Sequence, residues 1–178
     1  MVSQDSTIMT NLKAAPPVLT DAGQWGGRVR VVMDSFETIV AGGATSVDAD
    51  GDFFRLCTLP SNARIIQFCV ASDDLDSSSA VALNYGLYTA DTTTVLDEDL
   101  FASAVAHTSA VAPTDIRFEA DATNIVRWHS PLWEVLDAGA GSVTSDPHIN
   151  YDVCATQNAA ATTTLAATFS FCIMYTVD

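Results

Sequence analysis

The chain has 178 residues, 48% of them hydrophobic and 16% charged, and its 22 acidic against 7 basic residues give a formal charge of −15. That much apolar surface offsets the entropy of ordering, which excludes a wholly disordered chain, and the length suits one sizeable core. The net field repels phosphate and argues against nucleic acid, and no apolar run approaches the roughly 20 residues a membrane-spanning helix needs.

The N-terminus carries no charged-then-apolar leader, so the expectation is a soluble acidic protein made without export and without a membrane partner. Lys13 is the one lysine, and glutamate is confined to Glu37, Glu98, Glu119 and Glu134. Thr and Val favour pleated, half-buried strands, while Asp, Gly, Ser and Asn favour the turns between them. The composition points to an all-β fold.

Residues 1–27 predict an extended N-terminal arm. They show no sustained period, Pro16-Pro17 forces extended backbone, and Gly23, Gly26 and Gly27 punctuate the end. Ile8, Met9, Leu12, Val18, Leu19 and Trp25 make the arm too apolar for a pure linker, so Leu12, Pro16, Pro17, Val18, Leu19 and Trp25 are candidate contacts with a neighbouring subunit or partner, the alternative being packing on their own domain. From residue 28 to 178 short strands alternate with turn clusters. Arg28–Met33 and Phe36–Val40 read as strands with a bend or bulge at Asp34-Ser35. Phe53–Leu59 ends at Pro60-Ser61-Asn62, Ile65–Ala71 follows, and Val81, Leu83, Tyr85 and Leu87 alternate on one face.

Asp97–Ala104 reads as one or two helical turns with acids at the favourable N-terminal end. Thr114–Glu119 and Asn124–Trp128 are candidate short strands, and Ser130-Pro131 opens a short helix through Leu136. Ile149, Tyr151 and Val153 alternate, as do Phe169, Phe171, Ile173 and Tyr175, with residues 158–164 between them as a hairpin loop. About eight strands without a βαβ rhythm predict a two-sheet antiparallel sandwich of jelly-roll type, with one or two short helical insertions.

Cys57, Cys69, Cys154 and Cys172 form no CxxC pair and lie in apolar stretches, so they read as buried free thiols. His107, His129 and His148 lie in no nucleophile motif and read as loop or strand-end polar residues; no catalytic residue is assigned. Asp48, Asp50 and Asp52 alternate around Gly51 like part of a calcium loop. The twelfth position is Leu59 and strands flank the loop, so a solvated acidic turn is preferred to a weak cation site, and no cofactor is expected. Asp73, Asp74 and Asp76 form a second acidic loop of the same kind.

Several segments in order resemble the capsid decoration, cement or head-stabilising proteins of tailed bacteriophages. They are Gly26–Val31 with Asp34-Ser35-Phe36, Phe54-Arg55-Leu56 with Leu59–Ile65, Asn84–Tyr88, Asp99-Leu100-Phe101, Leu132-Trp133-Glu134, and Ser145-Asp146-Pro147 through Tyr151-Asp152. The resemblance covers residues 25–178, and Val105–Asn124 departs from it. It implies a β-sandwich on the exterior of an icosahedral shell, bound to the major capsid protein as a homotrimer or other small homo-oligomer, after assembly in the host cytoplasm. The alternatives are a carbohydrate-binding or adhesive sandwich displayed on a virion, and a minor tail or fibre-base component.

Overall fold

A computed structural model describes residues 3–15, 29–38, 47, 49–75, 81–117, 119, 130–136, 143–158 and 166–177. Its elements in chain order are β1 (Ser3–Asp5), α1 (Thr7–Lys13), β2 (Val29–Glu37), β3 (Phe53–Pro60), β4 (Ala63–Ser72), β5 (Ala82–Thr89), β6 (Val95–Ala106), β7 (Val111–Asp115), α2 (Leu132–Leu136), β8 (Asn150–Gln157) and β9 (Thr168–Val177). The strands form two sheets, one ordered β1-β3-β8-β5-β6 and the other β2-β9-β4-β7. β2 pairs with β9, β3 with β8, β4 with β7 and β5 with β6, all antiparallel. Those pairs are nested from the outermost strands inward, which is a long ribbon rolled into two layers. The fold is a jelly-roll sandwich.

The inner faces mate through side chains set by period-two alternation. On β9, Phe169, Phe171, Ile173 and Tyr175 point inward and are buried, as the sequence predicts. The Phe36, Phe54 and Phe169 rings lie 5.6 to 6.0 Å apart, and Phe68 meets Tyr85 and Phe101 edge-on at 5.8 and 5.4 Å. Each such ring stabilises the fold by roughly 1.5–3 kcal/mol through area removed from water, plus a smaller pairwise term. α2 closes one end with Leu132 and Val135 in the core, and its start is fixed by Trp133 N–H donating to the Ser61 carbonyl.

Five sequence expectations change. Asp97–Ala104 is not helical but lies in β6, where Asp97 pairs with Leu87 and Ala102 with Tyr85; cross-strand packing overrides the local signal. Gly86 permits this, because a methyl group there would overlap the Asp97 carbonyl and the Glu98 backbone. Asp34-Ser35 is no bulge, since β2 pairs with β9 without a break from Val29 to Glu37 and Ser170 Oγ donates to Ser35 Oγ at 2.9 Å. The strand placed at Thr114–Glu119 lies earlier, at Val111–Asp115, because its register is set by β4. The connection from β8 to β9 is not a hairpin: the two strands belong to different sheets, so the chain crosses the sandwich there. Finally, Cys57 and Cys154 are buried, but Cys69 and Cys172 occupy outward positions of β4 and β9 and are partly exposed. The strand read at Asn124–Trp128 lies outside the described residues.

Candidate interaction surface

The two sheets finish their outward faces differently. On the five-stranded sheet, Phe53, Tyr88 and Cys154 form a second small apolar cluster away from the main core, and Arg55 lies over the Phe53 ring at 5.5 Å. Arg55 and Asp152 are both buried there. Nε of Arg55 is 2.9 Å from Oδ2 of Asp152, an ion-pair contact off the hydrogen-bond line, and its other nitrogens donate to Asp5 Oδ1 at 3.2 Å and the Thr92 carbonyl at 2.7 Å. Asp152 further accepts from Thr58 Oγ1 at 2.6 Å and from the Asp91 N–H at 3.0 Å. A buried pair is tolerated when its remaining lone pairs and protons find partners, and here the terminal nitrogens of Arg55 and both oxygens of Asp152 do, while the Arg55 Nε–H makes no hydrogen bond.

The N-terminal segment takes part in this closure. β1 adds in parallel to β3, from Ser3 beside Phe53 to Asp5 beside Arg55. Ser6 then caps α1: its Oγ accepts from the Met9 N–H at 3.3 Å and donates to the Leu56 carbonyl at 2.6 Å. Met9 is buried against Thr58, and Lys13 at the helix end bridges Asp5 and Asp91 at 3.1 and 3.6 Å. The first part of the expected arm is therefore extended only over Ser3–Asp5, continues as a helix, and packs on its own domain. Leu12 belongs to α1, whereas Pro16, Pro17, Val18, Leu19 and Trp25 lie outside the described residues.

The four-stranded sheet is open on its outward side among the described residues. The register lines up Met33, Cys172, Cys69 and Asp115 in one row across four strands. A row of Val31, Met174 and Gln67 lies on one side of it, and Ser35, Ser170 and Ala71 on the other. Met33 is 58% exposed, and Val29 and Ile66 are also exposed large apolar residues. Between the rows a shallow open depression of about 400 Å³ is lined by Met33, Ser35, Cys69, Ala71, Pro113 and Cys172. Antiparallel sheets normally turn a polar face to water. Here Val31, Met33, Met174, Cys172, Cys69 and Ala71 instead make an apolar patch, bordered by Gln67, Asp115 and the Ser35–Ser170 pair, that is suited to contact with another surface.

The candidate chemical residues do not assemble. His107 is wholly buried, with Nδ1 2.7 Å from Ser72 Oγ and Nε2 2.7 Å from Tyr85 OH. Burial holds its pKa down at about 4 and pushes the Tyr85 phenol well above its ordinary value. The arrangement has the contacts of a base beside a hydroxyl, but no solvent reaches it. His148 is an exposed loop residue paired with Asp146, and His129 lies outside the described residues. Asp48 also lies outside them, and Asp50 is exposed. Asp52 is buried, its Oδ2 accepting from the Ala49 N–H at 3.1 Å and its backbone joined to Gln157 and Ala49, which makes it a turn former. No group of three or more His, Cys, Asp or Glu able to hold a metal ion occurs among the described residues. No helix among them is long and apolar enough to cross a membrane. The patch escaped sequence reading because which outward side chains of β2, β4 and β9 share a row is set by pairing between strands distant in the chain.

Known proteins bear on the fold. A chain in the capsid of Ralstonia phage GP4 superposes with a TM-score of 0.63 over 99% of this chain and 99% of that one, at 15% identity. The likeness is one of fold. Two further structures align at lower scores, the Cyanophage Pam1 capsid asymmetric unit (TM-score 0.48, 19% identity, 93% of this chain and 97% of that one) and the acidic stable capsid structure of Helicobacter pylori bacteriophage KHP30 (TM-score 0.39, 12% identity, 85% and 89%). No family model matches the sequence, and neither does any curated protein.

Proposed function

We propose that this chain is a structural protein of a phage virion: a decoration, or cement, protein on the exterior of an icosahedral capsid, bound to the major capsid protein as a homotrimer or other small homo-oligomer, and without catalysis. The observation that carries this reading is the end-to-end fold likeness to a chain of the Ralstonia phage GP4 capsid, which spans 99% of both chains and so includes the N-terminal segment. Two features of the chain support it. The rows through Met33 and Val31 offer an apolar contact surface. The formal charge of −15 disfavours a DNA-facing position and keeps decorated particles apart.

Cementing follows from linkage. A protein that binds neighbouring capsid subunits together, and not the separated subunits, shifts the equilibrium toward the closed shell by its binding free energy at each site. The arm residues Leu12, Pro16, Pro17, Val18, Leu19 and Trp25 are part of the proposal, as contacts with the capsid or with a neighbouring copy. The test is co-sedimentation of the purified protein with capsids that lack it. Saturable retention is expected, with a loss of about tenfold or more in affinity when Val18, Leu19 and Trp25 are replaced by serine, as for apolar anchors at an interface. A protein that stays in the supernatant while the capsids pellet, and that instead binds glycans, would overturn the reading.

A further inference from the structure

Two of the four cysteines lie on the outward face of the four-stranded sheet. Cys69 on β4 and Cys172 on β9 are direct register partners in antiparallel strands, so their side chains rise side by side from the same face. Both are free and partly exposed, and both line the open depression beside Met33. Directly opposed residues carry Cβ atoms about 4.5–5.5 Å apart, and a disulfide needs about 3.5–4.5 Å, so closure asks for a shift of about 1 Å. The ladder is irregular on either side of Cys69: against β9 between Ile65 and Gln67, and against β7 between Val70 and Ser72. The electrostatics agree with the spacing. Burial, then Asp115, then Cys172 raise the Cys69 thiol above its ordinary pKa, whereas burial alone raises that of Cys172.

We propose that Cys69 and Cys172 are an oxidisable pair that closes into an intramolecular disulfide by exchange with a small-molecule disulfide, stapling β4 to β9 on the open face. The Cys69 thiolate attacks one sulfur of the reagent, forming a mixed disulfide and expelling one thiolate. The Cys172 thiolate then attacks the Cys69 sulfur, forms the Cys69–Cys172 bond and expels the second. Two protein thiols are oxidised and one reagent disulfide is reduced to two thiols, which take up, through solvent, the two protons that the protein thiols gave up. Cys57 and Cys154 are sealed in β3 and β8 and stay reduced. The reaction runs faster at about pH 8.5 than at neutrality, since the thiolate is the nucleophile.

The experiment treats the folded full-length protein with oxidised glutathione at about pH 8.5 and maps the unreduced peptides by mass spectrometry. The expected product links the Cys69 and Cys172 peptides, retains no glutathione, and melts roughly 5 °C or more higher until dithiothreitol restores the original Tm, because the bond closes a long loop. Cys172→Ser is expected to keep one glutathione on Cys69. Stable mixed disulfides on both cysteines, links between chains, a Cys57–Cys154 link, or no reaction would each refute the pair. A Cys69–Cys172 link that leaves Tm unchanged would refute the staple.

Discussion

The outward faces of the two sheets differ in who completes them. On the five-stranded sheet Arg55, Asp152, Tyr88 and Phe53 are buried by the chain itself, with Ser3–Lys13 laid along β3 and the turn around Asp91 and Thr92 closing over the charges. On the four-stranded sheet the rows through Met33, Cys172 and Cys69 are left open among the described residues. Polar groups, which are costly to bury, are sealed where the protein can satisfy them; apolar groups, which are cheap to transfer to another apolar surface, are left outside. One face is thus committed to stability and the other is available for contact.

Breaking the sealed face is expected to cost most. Arg55→Ala leaves Asp152 buried beside an empty site, and equilibrium unfolding in denaturant is expected to show a loss of about 3–5 kcal/mol. A loss below 1 kcal/mol would mean that water enters and the face is not sealed.

The core histidine gives the next effect. The unfolded imidazole takes a proton as pH falls through about 6.5, whereas in the fold His107 stays neutral down to about 4. Stability from this group is therefore full above pH 6.5 and is lost as pH falls toward 4, by roughly 3 kcal/mol in all. Unfolding curves across that window should lose this part of their slope in His107→Gln, while the carboxylate contribution at lower pH remains.

Ser6→Ala removes both the helix cap and the hydroxyl bonded to the Leu56 carbonyl, and is expected to cost about 1–2 kcal/mol. Met33→Lys, on the open face, should change unfolding free energy by less than about 0.5 kcal/mol while lowering retention on capsids. A large stability loss there would erase the contrast between the faces.

The fold class was legible because one-face alternation at Phe169–Tyr175 and the paired runs around Val81–Leu87 state strand and inward side together. The short helix at Leu132–Leu136 was legible from Pro131 and the apolar Leu132 and Val135. What failed were signals that tertiary pairing outweighs. Acids at Asp97–Asp99 suit a helix start, yet Leu100, Phe101 and Ala102 are buried in β6 because β5 offers a strand edge and a glycine at residue 86. The alignment of Met33, Cys172 and Cys69 depends on pairings between strands more than 100 residues apart, which no local pattern encodes. For the candidate contacts the sequence offered composition only: it marked residues 1–27 as apolar and extended, but not that Ser3–Lys13 would be held by Arg55 and Asp91.

The nesting of the strand pairs also sets the order in which the molecule can be built during synthesis. β9 sits between β2 and β4, so a strand made after both of them is an interior member of their sheet. Until Thr168–Val177 leaves the ribosome, the emerging chain presents two unsatisfied β edges and the apolar side chains of Phe36, Ile65 and Phe68. Such a chain is exposed to misassociation until β9 is made, and its maturation waits on those ten residues.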